Sequence, residues 1–203
     1  MGTASRRRRV LLIAGIGAIW LGAVGFGMKL LWGYANGPGA AASAPASWPA
    51  GSALARDPSR PILVMFAHPR CPCTRASVAE LAKLTATIGA RARTLVVFFE
   101  ADDAGDDWTR TDLWQSAAAI PGVEVVADRG AHEAARFGVV TSGQTILYDA
   151  GGRLRFAGGL TSARGHQGDT LGKAVLTSIV NDGSDTSATT AVFGCPIRQE
   201  DAR

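Results

Sequence analysis

One segment constrains this chain more than any other. From Val10 to Met28 it runs for 19 residues without a charge, and Lys29 alone interrupts the apolar run that ends at Leu31. A helix of that length crosses a hydrocarbon core of roughly 30 Å. Lys29 sits near the far end, where its stem reaches the interface, and Trp32 and Tyr34 suit the same boundary. Arg6, Arg7, Arg8 and Arg9 precede the run, so the positive-inside rule places the N-terminus in the cytoplasm and everything after about residue 35 outside it. A cleaved secretory signal is the main competitor, although its apolar region is usually only roughly 7–15 residues long. A twin-arginine signal fits Ser5-Arg-Arg-Arg-Arg-Val-Leu poorly, and a buried core helix is the third alternative. The expected layout is a basic N-terminus (1–9), a membrane anchor (10–32) and a linker (33–60). A soluble domain (61–181) and a tail (182–203) follow.

Charge excludes a second class. The chain carries +4 overall, with 21 basic and 17 acidic residues, and a pI near 9.3. Five of the basic residues lie in the first 29 positions, and every acidic residue lies after position 55. The remainder is close to neutral, which leaves no basic domain for nucleic acid. Residues 36–60 are mostly Ala, Gly, Pro and Ser, which reads as a flexible, partly extended tether.

Within the soluble part, Pro61-Ile-Leu-Val-Met-Phe-Ala67 is continuously apolar, as in a strand buried on both faces. His68-Pro-Arg-Cys-Pro-Cys-Thr74 follows it, then a helical pattern marked by Val78, Leu81, Leu84 and Ile88. Thr94–Glu100 is a second strand, 109–119 a helix, Val123–Ala127 a third strand and 131–137 a short helix. Gln144–Tyr148 and Arg153–Ala157 form a hairpin, and a last helix spans about 168–179. The order β-α-β-α-β-α-β-β-α implies an α/β domain with a central mixed sheet and helices on both faces.

Pro72 favours an extended Cys71 and suits a first helical position itself. Cys71 is therefore expected at a helix N-cap, where free N–H groups and the helix dipole favour a thiolate. Cys73 is expected inside the first turn and less exposed. Two cysteines at i, i+2 within one helix point about 200° apart, so a Cys71–Cys73 disulfide needs Cys71 outside the helical turn. A strained disulfide is oxidising and labile, which favours a disulfide donor or isomerase over a strong reductant.

A cysteine pair that follows the first strand and opens the first helix resembles the thioredoxin superfamily, over roughly residues 55–181. The anchor-plus-domain layout is similar to membrane-tethered bacterial thioredoxin-like proteins. HPRCPCTRAS, TSGQTILYD, GGLTSARGHQGD and VFGCPI resemble the bacterial RedB proteins more closely. The superfamily resemblance implies Cys71 as attacking thiol, Cys73 as resolving thiol, exported thiol or disulfide proteins as partners, and no cofactor. This chain departs from the pattern in having one residue between the cysteines instead of two. Gly143, in Thr141-Ser-Gly-Gln144, stands where the superfamily places a cis-proline. Losing that proline opens the thiols to metal.

The competing class is a copper module, in which Cys71, Cys73 and His68 form a soft ligand set suited to Cu(I). A scaffold with purely structural cysteines is the third reading. His166 is expected to serve a loop or cap and His132 the surface. Glu100 is read as a strand-end carboxylate or a proton relay, and Asp102, Asp103, Asp106 and Asp107 as a solvated loop. Residues 182–191 read as a mobile spacer. Val192-Phe-Gly-Cys-Pro-Ile197 is an apolar knot, expected to dock on its own domain and bring Cys195 near Cys71 and Cys73. A tail cysteine remote from the motif is the alternative. The expected location is the bacterial inner membrane, single-pass, with the domain on the periplasmic or other extracytoplasmic side.

Overall fold

The computed structural model describes residues 3–198, apart from 104, 106 and 185. The chain forms two compact units, Met1–Gly37 and Pro38–Arg203.

The first unit is a single helix, α1 (Thr3–Asn36). Its stretch Arg6–Asn36 is long and apolar enough to cross a membrane, with a hydropathy of 2.1. The helix extends past both ends of the expected anchor because proline, its strongest breaker, does not occur before Pro38.

The second unit is built on a six-stranded sheet with the order β3-β2-β1-β4-β5-β6. Its strands are β1 (Ile62–Ala67), β2 (Arg93–Glu100), β3 (Val123–Arg129), β4 (Thr145–Tyr148), β5 (Leu154–Gly158) and β6 (Ala188–Thr189). Helix α2 (Thr74–Ile88) connects β1 to β2, and α3 (Asp112–Ala118) connects β2 to β3; both strand pairs are parallel. α4 (His132–Arg136) leads to β4, which pairs antiparallel with β1 and with β5, and α5 (Leu171–Asp182) follows.

All six residues of β1 are buried, and they divide by alternation. Leu63, Met65 and Ala67 face the core made with Leu81, Leu84, Leu113 and Leu176 from α2, α3 and α5. Ile62, Val64 and Phe66 face the opposite core, with Ala134 of α4 and Phe137. The fold is therefore α/β with a mixed sheet covered on both faces.

Three expectations need correction. Residues 38–60 are no free tether. Leu154 N–H donates to Ala46 O (2.9 Å), Trp48 N–H to Gly152 O (2.8 Å) and the Tyr148 hydroxyl to Pro45 O (2.9 Å). The Trp48 ring meets Phe137 and Tyr148 edge-on at 5.0 and 5.4 Å. Helix α4 is only five residues long, and this segment covers part of the face it leaves open. Two anchors, Trp48 and Leu54, outweigh the composition around them.

Residues 182–191 are likewise no plain spacer. Ala188–Thr189 pairs parallel with β5, and Gly159 N–H donates to Ala191 O (3.2 Å). Finally, His166 takes the loop part of its expected role, its N–H donating to Ala163 O (3.2 Å), but not the cap. Thr170 is the N-cap and its hydroxyl accepts from Lys173 N–H (3.3 Å). The preceding loop is pinned by buried Glu80, which accepts from Gly168 N–H (3.0 Å) and pairs with Lys83 and Lys173.

Candidate functional site: a cluster of three cysteine sulfurs

Where β1 ends, the chain turns twice before α2 begins. Cys71 N–H donates to His68 O (3.1 Å), and Thr74 N–H donates to Cys71 O (3.2 Å). The helix starts at Thr74, so Cys73 is its N-cap and Cys71 lies in the turn before it. This corrects the expected cap position. Pro72 fixes φ and has no N–H to give, so the 71–74 turn closes tightly and regular helix begins only beyond it. Cys71 still meets a thiolate-stabilising environment, supplied by side chains as well as backbone.

The Cys195 N–H donates to the Cys71 sulfur (3.4 Å), and the Thr74 hydroxyl and N–H beside it also favour a negative charge there. The Thr74 hydroxyl is itself in a short contact with the Ser142 hydroxyl (2.5 Å), which accepts from His68 N–H (2.7 Å). These groups line up so that each can donate toward Cys71.

The Cys195 sulfur lies 2.8 Å from the Cys71 sulfur, and all three cysteine sulfurs fall within 4.8 Å of one another. Because the donors gather on Cys71, the proton in the sulfur–sulfur contact belongs to Cys195. That thiol hydrogen bond is the largest influence on Cys71. Together with the Thr74 donors it outweighs burial and brings the Cys71 pKa down to about 4. The same contact, with burial and the negative charge on Cys71, pushes Cys195 well above the ordinary thiol range. Burial first, and the charge on Cys71 second, raise Cys73; Arg164 acts in the opposite direction. The cluster holds one thiolate, at Cys71.

The tail reaches the site as a strand. Ser142 N–H donates to Cys195 O (2.8 Å), Ile197 N–H donates to Val140 O (2.9 Å), and Thr141 and Pro196 form an antiparallel bridge. The docking is tight enough that Val192 and Ile197 are buried. Arg164, in the loop ahead of α5, donates to Gly194 O.

Gly143 sits beside this strand with φ 89°, and its N–H donates to Phe66 O (2.7 Å). A Cβ there would come within 2.9 Å of the Ser77 hydroxyl, so glycine lets residues 141–143 lie against α2. Among the described residues no peptide bond is cis.

His68 is not part of the sulfur cluster. Its Nδ1 accepts from Arg70 N–H (3.1 Å), and its ring packs near Phe99 and Trp108 at 5.6 and 5.7 Å. Burial lowers its pKa. The soft-ligand group that the fold assembles is Cys71, Cys73 and Cys195, with Cys195 in the place expected for His68. Glu100 accepts from Thr109 and Arg129 at the end of β2, as a strand-end carboxylate does. His132 is exposed, and Asp106 lies outside the described residues.

Thr74, Ser142 and Arg164 are the site residues that the sequence reading passed over. Their signals are faint: a polar residue directly after Cys73, and polar residues in two glycine-containing loops far along the chain.

No family model matches the chain, and no curated protein matches it. Solved structures do. A conserved protein from Geobacillus kaustophilus superposes with a TM-score of 0.57 at 14% identity, over 80% of this chain and 92% of that one. A hypothetical protein from Sinorhizobium meliloti 1021 gives 0.50 at 25% identity, over 79% and 93%. The thioredoxin domain of a thiol-disulfide oxidoreductase from Bacteroides vulgatus gives 0.45 at 17% identity, over 71% and 98%. The fold is thioredoxin-like. Its strand order, its parallel β1-α2-β2 unit, its antiparallel β4–β5 hairpin and the cysteines at the end of β1 carry that assignment.

Proposed function

We propose that this chain is an exported, membrane-anchored thiol–disulfide oxidoreductase that exchanges disulfides with other exported proteins. The observation that carries the reading is the Cys71 sulfur, in surroundings that favour its thiolate, with a second sulfur, Cys195, 2.8 Å away. Cys71 attacks one sulfur of a partner disulfide. That bond breaks, the partner's other sulfur leaves as a thiolate and takes a proton from water, and a mixed disulfide joins the two chains. Cys195 then gives up its proton and attacks the Cys71 sulfur. A Cys71–Cys195 disulfide forms and the partner's second thiolate leaves. The partner gains two electrons and this chain loses two; run in reverse, the chain donates its disulfide to a partner dithiol. Stabilising the Cys71 thiolate stabilises the reduced form, so the donor direction is favoured.

Equilibrating the full chain, in detergent, with glutathione buffers of graded potential tests this reading. A reversible two-electron couple should appear, with the disulfide mapped to Cys71 and Cys195 by mass spectrometry. The finding that three sulfurs lie within 4.8 Å supports a second reading, Cu(I) handling through Cys71, Cys73 and Cys195. Tight Cu(I) binding without any reversible disulfide would favour that reading and end the first.

Export rests on Arg6–Arg9 ahead of one apolar span. A periplasm-dependent reporter fused after Arg203 is expected to be active. Activity only from a cytoplasm-dependent reporter would overturn the orientation and remove the oxidising compartment that a disulfide requires.

A further inference from the structure

We propose that residues 194–197 are this chain's own occupant of the strand site at which Cys71 meets its partners, and that the partner segment replacing them is extended and reads Gly-Cys-x-aliphatic. The inference rests on the exchange function proposed above and adds to it a substrate class and a built-in gate.

Four observations define the site. First, the main chain of Val140 and Ser142 is held by the tail, through Ser142 N–H to Cys195 O and Ile197 N–H to Val140 O. Backbone pairing of that kind is indifferent to side chains, so any extended segment in the same register satisfies the same groups. Second, this register delivers a cysteine sulfur to 2.8 Å from that of Cys71, and a substrate cysteine must likewise be brought to the Cys71 sulfur for attack. Third, Gly194 is buried, and a Cβ at that position would be driven into the Ser142 carbonyl oxygen, so the residue before the incoming cysteine must be glycine. Fourth, Ile197 is 2% exposed and packs into the core that contains Phe66 and Phe137, while Pro196 is exposed. The second residue after the cysteine is therefore read by an apolar pocket, and the first is not.

The same contacts close the site. Cys71 is only 3% exposed, because the tail strand lies over it. A partner gains access when the tail leaves, and such local opening of a terminal segment is far less costly than global unfolding. Resolution follows when the tail returns and the partner segment, held by then through the mixed disulfide, gives up the strand site to Cys195.

The test follows modification of Cys71 by iodoacetamide in the reduced full chain. The limiting rate at high pH is used, so that ionisation does not enter. Gly194→Ala, whose new Cβ cannot be seated, should raise that rate about tenfold or more. A chain ending at Ala191, which removes the strand without any clash, should show the same rise. The hexapeptide Val-Phe-Gly-Ser-Pro-Ile, added to the shortened chain, should slow modification back toward wild type, and Val-Phe-Ala-Ser-Pro-Ile should not. Unchanged rates in both variants would overturn the gate, and equal protection by the two peptides, or none by either, would overturn the glycine rule. None of these rates involves disulfide exchange. Loss of exchange with the expected rates would sink the proposed function alone, whereas intact exchange with unchanged rates would sink only the strand site.

Discussion

Replacing Cys71 by serine is expected to reduce disulfide exchange by about a thousandfold or more, to the background of the assay. A serine hydroxyl is not ionised at neutral pH, and an oxygen–sulfur bond is no substitute for the mixed disulfide. Cys195→Ser should behave differently. Attack by Cys71 survives, because the thiolate remains, but the sulfur nearest for resolution is gone. A stable mixed disulfide with the partner should therefore accumulate, visible as a reducible adduct on a non-reducing gel. Cys73 remains as a slower substitute, because it is the Cys195 sulfur, and not that of Cys73, that lies in direct contact with the Cys71 sulfur. Cys73→Ser should accordingly cost much less than either of the other substitutions. If Cys195→Ser turns over normally while Cys73→Ser traps the adduct, Cys73 is the resolving thiol and the role given to Cys195 is wrong.

The parts of this molecule that were legible in the sequence are those with a strong local signal. The unbroken apolar run 61–67 reads as a strand covered on both faces, and β1 is that strand inside the sheet, between β2 and β4. A turn with two cysteines directly after it and an amphipathic helix beyond locate the reactive end of the fold. The segments that defeated reading were those whose structure depends on distant partners. Residues 38–60 have a tether's composition, yet the main chain at Ala46 and Trp48 bonds to Leu154 and Gly152. Cys195 lies 124 positions from Cys71, and no local pattern states which strand the tail pairs with. Apolar Val192, Phe193 and Ile197 signal that the tail docks; the register comes from Val140 and Ser142, which are unremarkable by composition. The cap shift from Cys71 to Cys73 is a local matter instead: one hydrogen bond within a four-residue turn, Thr74 N–H to Cys71 O, decides it.

The second large effect is in pH. Modification of Cys71 in the reduced full chain should level off above about pH 5, because with the tail docked its pKa is held at about 4 against an ordinary thiol value of 9.0. Removing donors should move that midpoint upward. Cys195→Ala deletes the largest of them, the thiol hydrogen bond, and Thr74→Val deletes the hydroxyl; the first should shift the midpoint further. Stability must follow the same proton. In reduced chain between pH 4 and 9, the unfolded form carries a proton on Cys71 that the native form lacks, so unfolding free energy rises with pH across that window. The contribution is complete above 9 and is lost as pH falls through about 4. Cys195 acts with the opposite sign: its raised value helps the native state fully below 9 and ceases to do so at more alkaline pH. His68, lowered by burial, adds a rise of its own in the acid part of the window. Subtracting the profile of Cys71→Ser, which keeps His68 but has no thiolate, isolates the cysteine. Urea midpoints of the reduced full chain at pH 5 and pH 8 should therefore differ more in wild type than in Cys71→Ser, with wild type gaining at pH 8. Equal differences in the two proteins would mean that Cys71 is protonated in the native state, and the proposed attacking group would lose its physical basis.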